Sequence, residues 1–135
     1  MKIVVIDGQG GKIGKAVCEQ LVKSGFGEEV IAIGTNAIAT AAMLKTGVQA
    51  ATGENPVVVN SRNADYIVGP MGIIAANSLL GEITPNMAMA VSESGARKIL
   101  IPMNKCNIAI VGVEERTVTE YIKEACDLIL AERKQ

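Results

Sequence analysis

The chain has 135 residues, Lys+Arg 13 against Asp+Glu 14, a net charge of -1 and no histidine. At roughly 100–200 residues per domain this predicts one domain, residues 1–135. An apolar fraction of 49% excludes a disordered tail, the lack of a basic stripe argues against nucleic acid, and the missing histidine removes the commonest metal ligand and general base, so no metal site is expected.

Short β-branched runs alternate with helical patterns along the whole chain. They predict βαβ units around a mostly parallel sheet, that is, an α/β three-layer Rossmann-like fold. The first strand, Ile3 to Ile6, should be central. Ile13, Val17 and Leu21 repeat every four residues and predict the first crossover helix, stopped at Ser24-Gly25. Val30 to Ile33 is the second strand, Asn36 to Lys45 the second helix, Val48 to Ala51 the third strand, and Pro56 to Asn63 a third helix whose valines also suit a strand.

Tyr66 to Val68 is the fourth strand. The charge-poor stretch from there to Ala96 reads as two helices, the second opened by Thr84-Pro85 and closed by Gly95. Lys98 to Ile101 is the fifth strand. Only six residues separate it from Ile108 to Val113, too few for a parallel crossover, so a final antiparallel edge strand is expected. A capping box from Thr117 to Glu120 opens the last helix, with Val118, Ile122, Cys126 and Ile129 on its inner face. The start of the chain meets Asp7 after four apolar residues, and Tyr66 to Gly81 is short and broken by Pro70 and Asn77. Neither predicts a signal peptide or a membrane span. Three cysteines without metal or disulfide spacing predict a cytoplasmic protein.

Immediately after the first strand, Gly8, Gln9, Gly10, Gly11, Lys12, Ile13 and Gly14 form G-x-x-G-x-x-G at the start of a helix, a variant of the dinucleotide fingerprint. One glycine serves the tight turn, one lets the backbone approach a diphosphate, and Gly14 allows helix-to-strand contact. Helix N-terminal N–H groups would hold the anion; the competing reading is a glycine-rich turn that binds nothing. At the end of the second strand, where NAD sites place an acid for the ribose hydroxyls, this chain has Gly34-Thr35-Asn36. Thr35 and Asn36 are therefore candidates for a 2′-phosphate with Lys12 supplying charge, or Asn36 simply caps the second helix. Asp7 beside a diphosphate must be hydrogen-bonded, turned away or paired through a metal.

Gly69 and Pro70 after the fourth strand, and Pro102 to Asn107 after the fifth, should converge on the same crevice. Lys105 and Cys106 are the candidate catalytic pair, a thiol beside an ammonium; the alternative is an inert buried cysteine. Cys18 and Cys126 fall on apolar helix faces. Asn77, Glu82 and Thr84 are polar candidates near a ligand. Met87 and Met89 exceed what one helix face needs, and would line a pocket, bury in the core, or meet a second subunit in a homodimer.

The turn from Gly8 to Gly14 resembles the NADP-binding turn of dihydrodipicolinate reductases, where a basic residue occupies the Lys12 position. That resemblance ends with the turn and implies NADP(H) as cofactor. Ile6 to Gly11, Gly69 to Ile73, Leu80 to Pro85 and Ile99 to Asn107 are together similar to a family of short bacterial Rossmann-like proteins known as domain of unknown function thirty-eight forty-two. The expected function is binding of a small-molecule nucleotide, with an oxidoreductase and a non-catalytic nucleotide sensor as the two forms it takes.

Overall fold

The computed structural model describes residues 1–103 and 107–133. The elements run β1 (Ile3–Asp7), α1 (Lys12–Lys23), β2 (Val30–Gly34), α2 (Ala37–Leu44), β3 (Gln49–Thr52), α3 (Glu54–Ser61), β4 (Tyr66–Pro70), α4 (Pro85–Glu93), β5 (Arg97–Ile101) and α5 (Val118–Arg133), with 3-10 turns at Gly27–Glu29 and Met71–Ile74. The sheet order is β3-β2-β1-β4-β5 and every pairing is parallel. This α/β arrangement is consistent with a Rossmann-like fold. The order reverses between β1 and β4, which puts a crevice beyond their carboxyl ends.

Alternation along β1 divides the core. Ile3 and Val5 pack with Val17 and Leu21 of α1 and Ile122 and Ile129 of α5, whereas Val4 and Ile6 pack with Val57 of α3 and Met87 and Val91 of α4. All five residues of β1 are buried, as befits a central strand covered on both sides. Burying one such aliphatic side chain stabilises the fold by about 1.5–3 kcal/mol.

Four expectations are corrected. Ile108 to Val113 forms no strand, so the antiparallel edge strand is absent among the described residues. Asn107 at φ 52 just before this run and Gly112 at φ 91 within it have left-handed backbone that a strand cannot carry, and Val111 is 100% exposed. The stretch from Tyr66 to Ala96 holds one α-helix rather than two. Its low charge instead reflects Met71, Ile73 and Ile83, all buried, while Asn77, Leu79, Leu80 and Gly81 take positive φ in the intervening loop. Finally, Val118 is exposed and Ala125, not expected there, joins the inner face of α5; α4 ends at Glu93 with Ser94 as its C-cap, without a left-handed Gly95.

The caps follow the sequence closely. Asn36 Oδ1 accepts from the Ala39 N–H, Thr84 Oγ1 accepts from the Met87 N–H, and Thr117 and Glu120 close a reciprocal box at the start of α5. Met87 lies in the core, leaving Met89 as the exposed methionine of α4. The patch expected at a homodimer interface is correspondingly smaller. No helix among the described residues is long and apolar enough to cross a membrane.

Candidate functional site

The residues after β1 build a tight turn. Gly11 N–H donates to the Gly8 carbonyl at 2.9 Å, with Gln9 at φ 51 and Gly11 at φ 71. Gly11 is the N-cap of α1, and no side chain caps that helix from outside. Asp7 does part of that work from inside. Its carboxylate is buried and accepts from the Gly8 N–H at 2.8 Å and the Gly14 N–H at 2.7 Å. Of the fates open to Asp7 in the sequence, hydrogen bonding to its own turn is the one observed.

Burial raises the Asp7 pKa above its ordinary 3.8; the Gly14 and Gly8 N–H groups oppose that rise and the nearby Glu82 charge adds to it. The folded state therefore binds the Asp7 proton more tightly than the unfolded state does. Stability contributed by this group is fully present below pH 3.8 and is lost as pH rises through the raised native value. In urea melts across the acid range, the advantage of the natural chain over Asp7→Asn, which cannot titrate, is expected to be greatest at the lowest pH and to shrink as pH increases. An advantage that grows with pH would reject this assignment.

The glycines divide into different roles once their surroundings are known. A Cβ on Gly14 would stand 2.6 Å from Met43 Sδ and 2.7 Å from Asp7 Cβ, so this residue serves helix-to-strand contact as expected. A Cβ on Gly11 would lie 2.8 Å from Ala39 Cα, so Gly11 makes room for α2. A Cβ on Gly10 meets nothing within 4 Å. Gly10 is thus where a ligand can approach the backbone. The N–H groups of Gly10 and Lys12 make no hydrogen bond among the described residues, whereas those of Gly8, Gln9, Gly11 and Gly14 are used internally.

At the carboxyl ends of β1 and β4 a cavity of about 470 Å³ opens, walled by Asp7, Gly10, Lys12, Pro70, Leu79 and Val118. Met103 also lines it. Pro70 therefore joins the turn as expected. Gly69 does not: its α-hydrogen side lies against β1, where a Cβ would be 2.3 Å from the Ile6 carbonyl oxygen. Gly69 permits strand packing.

Thr35 and Asn36 come close to the turn, but their donors are occupied. Thr35 Oγ1 donates to Glu82 Oε1 at 2.6 Å, and Asn36 Nδ2 donates to the same oxygen at 2.7 Å and to the Gln9 carbonyl at 3.0 Å. The Gln9 N–H completes the set at 2.9 Å. A carboxylate thus takes the donors that the sequence assigned to a 2′-phosphate. Burial raises the Glu82 pKa, but the Thr35, Gln9 and Asn36 hydrogen bonds outweigh it and hold the group below its ordinary range. Sequence reasoning named Glu82 without placing it at the end of β2; its signal was its being one of two charges between Tyr66 and Ala96.

Lys105 and Cys106 lie outside the described residues. Cys18 and Cys126 are core residues whose thiols are pushed up to about 12 by burial, which suits packing rather than nucleophilic chemistry. No cluster of three or more metal-ligating side chains occurs among the described residues.

The family model described as Domain of unknown function (DUF3842) matches residues 2–134. The chain belongs to that family. No curated protein and no solved structure matches it. In this family member, the segments from Ile6 to Gly11 and from Leu80 to Pro85 meet through the hydrogen bond from Gln9 to Glu82.

Proposed function

We propose that this DUF3842 chain binds a phosphate-bearing nucleotide, with the dinucleotides NAD(H) and NADP(H) as the first class, over the turn from Gly8 to Gly14. The observation that carries the reading is a pair of unpartnered N–H groups, on Gly10 and Lys12, in the wall of a cavity at the switch point of a parallel sheet. Two backbone donors, the amino end of α1 and the Lys12 ammonium form a complement to a diphosphate.

Binding without chemistry is the reading favoured among the described side chains. Asp7 is held by its own turn, and Cys18 and Cys126 lie in the core. A nucleotide sensor needs only the turn and cavity, whereas an oxidoreductase also needs a substrate-facing group, for which Lys105 and Cys106 are the sequence candidates.

The test is a titration of the purified chain with NADH, NADPH, ATP and FAD, followed by calorimetry and thermal melting. A ligand present at about a hundred times its Kd stabilises the folded state by about 2.7 kcal/mol, which raises Tm by several degrees. Binding of at least one of the four is expected. Absence of heat and of any Tm shift with all four would overturn the nucleotide reading.

A further inference from the structure

We infer that Glu82 is the ribose-recognising residue of this site, selecting a nucleotide with a free 2′-hydroxyl over one with a 2′-phosphate. The inference rests on the nucleotide reading above and specifies its ligand class. In dinucleotide-binding sheets a carboxylate at the end of the second strand accepts hydrogen bonds from the ribose hydroxyls. β2 of this chain ends at Gly34 and is followed by Thr35 and Asn36, with no acid of its own. The structure brings one to the same place from 46 residues further along the chain, with Asn36 Nδ2 2.7 Å from Glu82 Oε1.

The way this carboxylate is held leaves half of it for a ligand. Three donors, Gln9 N–H, Thr35 Oγ1 and Asn36 Nδ2, converge on Oε1 at 2.6–2.9 Å. Oε2 makes no hydrogen bond among the described residues. A ribose hydroxyl needs an acceptor of this kind, fixed in position and ionised. Ionisation is secured because the three donors favour the charged form.

Fixation comes from the loop itself. Ile83, the next residue, is fully buried, and its carbonyl accepts from the Asn77 N–H at 2.7 Å while its own N–H donates to the Ser78 carbonyl. Gly8 is the counterpart on the turn. A Cβ there would be 2.7 Å from Thr35 Oγ1 and 3.1 Å from Glu82 Oε1, so this glycine admits the network.

A 2′-phosphate brought to this carboxylate would meet like charge instead of an acceptor for its hydroxyl. Lys12, the residue from which the sequence argued for NADP, then serves the diphosphate. The residue that decides between the two cofactors is Glu82.

The experiment titrates the full chain and its Glu82→Gln variant with NADH and NADPH by ligand fluorescence, and with ATP and 2′-deoxy-ATP by calorimetry. Glutamine keeps an acceptor oxygen for the three donors and removes the charge. The expected result is at least tenfold tighter NADH than NADPH in the natural chain, a ratio brought near one in Glu82→Gln, and a loss of tenfold or more with 2′-deoxy-ATP relative to ATP. NADPH bound as tightly as NADH by the natural chain, or ATP and 2′-deoxy-ATP bound equally, would overturn the inference while leaving nucleotide binding intact. Both comparisons use the natural chain, so they hold even if the variant fails to fold. Failure of all four probes to bind would overturn the nucleotide reading and this inference with it.

Discussion

Gly11→Val is expected to lose a large fraction of the fold's stability, whereas Gly10→Val, one residue earlier, is expected to leave stability unchanged and weaken nucleotide binding at least tenfold. Both are glycines of the same fingerprint, but the first has φ 71 and would put its Cβ 2.8 Å from Ala39 Cα and 2.9 Å from the Ala39 carbonyl oxygen. Those are backbone atoms of α2 and cannot swing aside as a side chain can. Left-handed backbone costs a side-chain-bearing residue roughly 1–2 kcal/mol, and overpacking adds about 1–3 kcal/mol. Against a total stability on the order of 5–15 kcal/mol for a domain, the sum is a large fraction. Gly10 has open space around its missing Cβ, in the wall of the cavity. Urea denaturation of the two variants beside a nucleotide titration of Gly10→Val gives the answer. A folded, stable Gly11→Val chain that has lost only binding would assign that glycine to the diphosphate.

Gly69→Ala is expected to have the second large effect, through the center of the sheet. Its Cβ would sit 2.3 Å from the Ile6 carbonyl oxygen and 3.1 Å from Ile73 Cδ1. Ile6 belongs to β1, which is paired on both sides, so relief requires β1 and β4 to separate locally. The loss should be on the order of 3 kcal/mol or more, the range of severe core overpacking. The carboxyl ends of β1 and β4 also frame the cavity, so nucleotide affinity should fall together with Tm. A variant with unchanged Tm would mean that Gly69 is free to serve a ligand, as the sequence alone allowed.

Glu82→Gln and Asp7→Asn probe two carboxylates with opposite linkage. Burial raises the Asp7 pKa, so its contribution declines with rising pH, whereas Glu82, burial notwithstanding, is lowered by its three donors. Its contribution is present above the ordinary 4.5 and is lost as pH falls through the depressed native value.

Local chemistry was legible in the sequence. The order of strands and helices from β1 to β4, the Asn36, Thr84 and Thr117 caps, the central place of β1 and the packing role of Gly14 all follow from periodicity, cap residues and a glycine pattern, which act over a few residues. Features requiring contacts between distant segments were not legible. The sequence could not divide labor among Gly8, Gly10, Gly11 and Gly69, because their surroundings come from α2, β1 and the 75–83 loop. It read Ile108 to Val113 as a strand from its β-branched residues, although pairing depends on a partner and on backbone that Asn107 and Gly112 do not provide. It offers Thr35 and Asn36 to a 2′-phosphate, or Asn36 to a helix cap, because they stand where NAD sites place an acid. Only the tertiary structure carries Glu82 across from behind β4 to their donors, since a carboxylate's partners are set by where the chain returns and not by its neighbors in sequence.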